Sequence, residues 1–441
     1  MKILFVLLVA LMNIGEGYAQ DEAQRSDLQQ IFELALENDP TYKETRELRD
    51  AAFEKRPQAI ARMLPFFSAA AGSSWNYLNN RKVGFQGQGI QKFWDSQVGF
   101  DLNQPIFNLE LWAQLSQSDN QIAQAEAEYA NALQDLMQRT IKAYLDVLLA
   151  KDTLQFAISE KTALARQLEQ AQQRFNVGLI AITDVLEAQS GYDRARSREI
   201  FADNGVDNAK EALREIVGEF DGDVVLLPKT IPLMKPEPMD MTAWAVSADQ
   251  QNLGIVAAQN QAEVARKSIE LQRTGHYPTL DVVGSYSIQD NSSSFGLRGD
   301  VGQIGLQLNL PVFEGGAVNS RVREAHYNFN ASKDSLQAVR RAVRRQVKDA
   351  YRGVLSTISQ VEALRATVKS SKSALEATEA GFEVGTRTMV DVVNEQRNLF
   401  QAQNNLSEAR NNYLLNWVSL KESASSLSDK DIQTLNSLLD E

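Results

Sequence analysis

The sequence predicts a mainly α chain that carries a minority of membrane-crossing β-strands, is exported, and must oligomerise. Three observations lead there. The N-terminus reads as an export signal and no apolar helix follows it, the body of the chain is a tandem duplication, and each copy pairs two alternating strands with a rod-like helix.

Lys2 precedes the apolar run "ILFVLLVALMNIG", and "GYA" ends at Ala19 with small residues at the positions that set cleavage, so residues 1–19 are expected to be a signal peptide. Lys2 and Glu16 leave together, and the net charge stays at −12. That acidity argues against nucleic acid as a partner. The chain has no cysteine, which excludes disulfides and a lipid-bearing N-terminal thiol. No later window approaches the ~18 uninterrupted apolar residues of a membrane helix. A membrane can be entered only through strands.

The duplication shows in "FNVGLIAITDVLEAQ" at 175–189 and "FEVGTRTMVDVVNEQ" at 382–396, which match in register at an offset of 207. The same offset takes Ala143, Tyr144, Val147 and Leu148 to Ala350, Tyr351, Val354 and Leu355. "QPIFNLE" at 104–110 answers "LPVFEGG" at 310–316. The first repeat is placed at 20–218, the second at 241–425, and a C-terminal tail at 426–441. Between the repeats, four prolines crowd 228–238, so 219–240 is a linker that no helix can cross.

Each copy reads helix, strand, strand, long helix, turn, helix. Strands are expected at about 64–78 and 95–107, then at about 278–290 and 301–313. Ile304, Leu306, Leu308 and Leu310 alternate with Gln303, Gly305, Gln307 and Asn309; Val98, Phe100 and Leu102 alternate with Gln97, Gly99, Asp101 and Asn103. A water-soluble sandwich would also alternate. Here the segments have the length that crosses a bilayer when tilted. Their polar faces suit a wet lumen, and Trp75, Tyr77, Phe93 and Trp94 gather where an interfacial aromatic belt would fall. Four strands cannot close a barrel and open edges are not viable in lipid, so oligomerisation follows.

Long helices are expected at about 109–175 and 316–382, with shorter ones at about 183–217 and 390–424. Heptad seams run Ile122, Tyr129, Leu136, Ala143, Ala150, Ala157 and Phe329, Leu336, Val343, Ala350, Thr357, Leu364. Such seams imply lateral packing of rods about 100 Å long. At the copied turns, Gly178 and Gly385 suit the helix stop. Thr183 or Asp184, and Asp391, suit the N-cap of the helix that follows.

No enzyme is expected. His276 and His326 are the only histidines, and no phosphate loop or metal-ligand spacing is present, so no cofactor is assigned. A periplasmic adaptor or coiled-coil structural protein is the alternative; it does not account for a two-fold repeat with paired strands.

The duplicated order, the "QPIF" and "LPVF" strand ends, and above all "RFNVGLIAITDV" with "VGTRTMVDV" resemble the TolC-type outer-membrane channels. The resemblance covers essentially the whole mature chain. It implies a homotrimer whose four strands per chain close a 12-stranded barrel in outer-membrane lipid, continuous with a periplasmic α-helical barrel and ringed by a small mixed girdle near 219–245 and 425–441. It implies passive conduction of drugs or proteins, with a periplasmic adaptor and an inner-membrane pump as partners. On the same basis, Thr183 and Asp184 would latch the second copy's coil, Arg387 would tie neighbouring coils, Gln167 and Glu379 would form a weaker restraint, and Asp391 would ring the entrance. Two positions depart from the pattern: Phe382 stands where TolC-type channels carry a tyrosine, and Asn394 where they carry a second aspartate.

Overall fold

The computed structural model describes residues 25–80, 89–220, 222–226, 228, 231–293 and 296–439, and the expected signal peptide, 1–19, lies outside the described residues. The first copy opens with β1 (Arg25–Ser26), α1 (Leu28–Asn38), α2 (Pro40–Phe53) and α3 (Lys55–Ala61). It continues through β2 (Phe66–Asn80), β3 (Gly89–Phe107), the rod α4 (Leu109–Asn176) and α5 (Ile182–Val217). The linker contributes β4 (Asp223–Val224). The second copy runs α6 (Met241–Gln251), α7 (Leu253–Arg273), β5 (Thr279–Asn291), β6 (Arg298–Asn309), the rod α8 (Ala317–Glu383) and α9 (Met389–Ser423), and α10 (Asp429–Ser437) closes the chain.

Polar residues join the short helices. Asp39 ends α1 and caps α2, accepting from the Tyr42 N–H at 2.6 Å, with Pro40 at the first helical position. Asn252 does the same between α6 and α7, accepting from the Ile255 N–H at 3.1 Å.

The strands form one antiparallel sheet in the order β2-β3-β5-β6. The register puts Phe67, Leu102, Gly284 and Ile304 in one row, and Ala71, Val98 and Ile288 in another. The opposite face carries Ser68, Asp101, Ser285 and Gln303. The apolar face is bare, with Ile304 77% and Leu306 73% exposed. Among the described residues, strands β2 and β6 have no neighbour on their outer edges.

Three expectations change in detail. The second strand begins at Gly89 rather than near 95, because β2 continues to Asn80 and pairs with it. The fourth ends at Asn309 rather than near 313, where Pro311 offers no N–H to a ladder. Phe93 lies opposite Asn76 on the polar face, whereas Trp75 and Trp94 oppose each other on the apolar face.

α4 has 68 residues and α8 has 67, so each rod is about 100 Å long. Each turns back as a hairpin, α4 with α5 and α8 with α9, and α4 also packs on α9. The main core joins Leu136, Tyr144 and Leu148 of α4 to Val347 and Val354 of α8 and to Tyr413 and Val418 of α9, and α1 and α10 close it through Ile31 and Ile432. The linker belts these rods. Lys151 pairs with Asp223, the Tyr144 hydroxyl donates to the Val225 carbonyl at 3.0 Å, and Arg410 donates to the Pro228 carbonyl. Arg365 donates to the Ile231 carbonyl at 3.3 Å, and the Tyr413 hydroxyl accepts from the Met234 N–H at 2.7 Å. No described helix is long and apolar enough to cross a membrane.

Candidate functional site

Both hairpins end in the same stop. In the first, the Gly178 N–H donates to the Phe175 carbonyl at 2.9 Å and the Leu179 N–H to the Arg174 carbonyl at 2.9 Å. In the second, Gly385 donates to Phe382 at 3.1 Å and Thr386 to Gly381 at 2.8 Å. This paired pattern needs a left-handed residue just past the helix. Gly178 (φ 77°) and Gly385 (φ 80°) supply it without the steric cost a Cβ would bring.

The restarts differ. Thr388 is the N-cap of α9: its hydroxyl accepts from the Asp391 N–H at 3.2 Å, and the Asp391 carboxylate accepts from the Thr388 N–H and hydroxyl, each at 2.9 Å. That is a complete capping box. The corresponding residue in the first tip is Ala181, which caps α5 with no side-chain bond. The expected N-caps are therefore corrected. Thr183, Asp184 and Asp391 lie inside the first helical turn, because each helix starts two or three residues earlier than their caps would require.

The two aspartates consequently differ in chemistry. The Thr388 backbone and hydroxyl, helped by the Arg387 charge, hold the Asp391 carboxyl below its usual range. The Asp184 carboxylate makes no hydrogen bond or ion pair among the described residues. The same holds for the Thr183 hydroxyl and the Arg387 guanidinium, so within one chain the structure does not join Thr183 or Asp184 to Arg387 or Phe382.

It does join others. Gln167, Glu379 and Phe382 line one cleft of about 290 Å³ between α4, α8 and α9. The Arg174 guanidinium lies 5.0 Å from the Phe382 ring centroid, and that ring packs on the small tip core of Leu164, Ala171, Ala188, Ala195, Met389 and Val393. The ring thus has a packing role without the hydroxyl a tyrosine would bring. The Gln167 Oε1 atom is buried without a partner. Desolvation, then the like charges of Glu376 and Glu383, push the Glu379 carboxyl above its usual range. Asn394 accepts from Arg397 at 3.2 Å, so this position offers an amide where a carboxylate was the family pattern.

The family model described as "Outer membrane efflux protein" matches residues 31–219 and 244–425. The chain belongs to the outer membrane efflux protein family. It is 34% identical to "Outer membrane protein TolC" of Escherichia coli (strain K12) across 98% of this chain and 89% of that protein. It is 27% identical to "Alkaline protease secretion protein AprF" of Pseudomonas aeruginosa across 91% of this chain and 85% of that one. Its fold is that of the Campylobacter jejuni CmeC outer-membrane channel, with a TM-score of 0.79 at 15% identity over 95% of this chain and 91% of that one.

This efflux-family chain is accordingly an outer-membrane channel of the efflux and type I secretion class, its sheet in the outer membrane and its rods in the periplasm. Sequence reasoning missed the cap at Thr388 and the partner at Arg174. The first was readable as Thr-x-x-Asp at 388–391, against Ala-x-x-Asp at 181–184. The second carried no local signal, because Arg174 and Phe382 meet only in the fold.

Proposed function

We propose that three copies of this chain close a 12-stranded barrel and a continuous helical tube, exported by the signal peptide at 1–19 and gated at a periplasmic entrance formed by six hairpin tips. The unpaired edges of β2 and β6 support closure by further copies, since open strand edges are not viable in lipid. A periplasmic adaptor and an inner-membrane pump would supply cargo and drive, the duct itself conducting passively and catalysing nothing. Drugs and proteins both fit such a duct.

At the entrance the first tip is the fixed latch, offering Thr183 and Asp184. The second is the moving coil, carrying Arg387 and Asp391, with Gln167 and Glu379 as a secondary restraint. The observation that carries this assignment is the pairing state of the side chains: among the described residues the Arg387, Thr183 and Asp184 side chains make no hydrogen bond or ion pair, which leaves them for a neighbouring copy. Three Asp391 carboxylates near the axis would repel one another and attract cations. Single-channel recording with a divalent or trivalent cation on the periplasmic side tests the ring. Block of the parent channel, relieved in Asp391→Ala, is the expected outcome; a parent channel indifferent to the cation contradicts it.

A further inference from the structure

Duplication gives the chain one junction between repeats inside itself and leaves another to be made between chains. Inside the chain, rod α4 of the first repeat packs on the returning helix α9 of the second. The Gln138 side chain donates to the Ser419 hydroxyl at 3.0 Å, the Thr153 hydroxyl donates to the Asn404 side chain at 2.9 Å, and Ser407 donates to Asp152. These bonds fix an antiparallel register. Between them, on the same two helix faces, lie Ile141 and Leu145 of α4 and Leu414 and Val418 of α9. All four are buried and belong to the main core. The register sets Leu145 against Leu414 and Ile141 against Val418, two and three turns from Asp152 and Ser407.

The offset of 207 carries these positions to α8 and α5, which share no such junction among the described residues. Ile141 and Leu145 become Lys348 and Arg352 on α8, and Leu414 and Val418 become Asp207 and Glu211 on α5. The alignment is firm, since Ala409, Asn411 and Leu420 of α9 answer Ala202, Asn204 and Leu213 of α5. Four buried apolar positions in one junction are therefore four charges in the other, basic on one edge and acidic on the opposite edge. Exposed neighbours repeat the signs: Arg341 and Arg345 on α8, Asp203 and Glu215 on α5. Among the described residues Asp207 and Lys348 make no hydrogen bond or ion pair. Glu211 pairs with Arg214 of its own helix, and Arg352 with Asp349 of its own at 3.7 Å.

We infer that α8 of one copy packs on α5 of the next through a ladder of ion pairs, Lys348 with Glu211 of the partner subunit and Arg352 with Asp207 of the partner subunit, and that this ladder fixes the direction in which copies join. The inference rests on the three-copy reading above. A head-to-tail ring repeats one junction, in which each edge meets the unlike edge. Unlike edges attract here, whereas a copy turned round would set Lys348 and Arg352 against a second basic edge. Solvated ion pairs stabilise little, so the ladder selects the partner while the strands and the other helix faces hold it. The in-chain junction never separates and needs no such selection. Apolar residues on the free edges of an unassembled copy would instead form an aggregation surface.

Cysteines test the register, in a chain that has none of its own. Lys348→Cys with Glu211→Cys, oxidised in the assembled channel, should link copies into covalent trimers on a non-reducing gel. Charge reversal tests the ladder. Asp207→Lys with Glu211→Lys, and separately Lys348→Glu with Arg352→Glu, should each lower the trimer fraction in detergent severalfold at low salt, and high salt should shrink the difference. All four substitutions in one chain exchange the edges and should recover more than half of the loss. Trimer fractions equal to the parent in both two-residue variants, or no recovery in the four-residue variant, would overturn the ladder. If the parent has the mass of a trimer and the cysteine pair gives no covalent trimer, the junction fails while the three-copy reading stands. If the parent forms no trimer, both fail.

Discussion

The two hairpin tips are copies with the same stop and different restarts. Gly178 and Gly385 end their rods with the same pair of hydrogen bonds, yet only the second tip pins its next helix with a capping box. A turn at φ near 80° leaves little freedom in residue type, so duplication preserved it. A helix start tolerates Ala at a modest cost, so that position was free to diverge. The consequence is chemical. Asp391 is engaged by Thr388, while Asp184, its counterpart, keeps an unengaged carboxylate for another surface.

The comparison can be broken first at its shared part. A β-branched residue in the left-handed region costs roughly 1–2 kcal/mol. Gly178→Val and Gly385→Val should therefore lower local stability by similar amounts, read by hydrogen exchange of the amides on either side of each turn. A loss at one tip alone would show that the stops are not equivalent. Next comes the part that differs. Thr388→Ala should destabilise the start of α9 by about 1 kcal/mol, and Ala181→Thr should stabilise the start of α5 by up to a similar amount, since Asp184 already sits where a capping box needs it. Exchange rates at 389–392 and 182–185 should then move in opposite directions; no change in either would remove the cap from the account.

Acid should separate the tips as well. The Asp391 carboxyl lies below its ordinary 3.8, so its contribution is present above that pH and is lost as pH falls through the lowered value. Protection at 389–392 should decline on acidification below pH 3.8 in the parent, with that decline reduced in Thr388→Ala, which keeps the backbone N–H bond to Asp391, and absent in Asp391→Asn. The smallest effect is expected from Arg174→Ala, which removes the cation over Phe382 and should cost about 0.5–1 kcal/mol in thermal unfolding of the tip.

Much of this was legible in the sequence for definite reasons. The rods, the strands and the positions of the turns follow from short-range periodicity and from glycines with one allowable conformation, so Gly178 and Gly385 could be assigned from the sequence. Helix starts depend on one side-chain bond, and Thr183 and Asp184 were plausible caps until the backbone placed Ala181 there. Contacts between distant segments carry no local signature. Gln167 and Glu379 entered through family resemblance, and the structure puts them in one cleft, while Arg174 on Phe382 comes from packing alone.

The central claim is that the second tip moves and the first holds it. Resting single-channel conductance of Arg387→Ser, measured beside the parent in planar bilayers, tests it most directly. A severalfold rise is the predicted result; conductance equal to the parent would assign Arg387 to a solvated surface and contradict the latch.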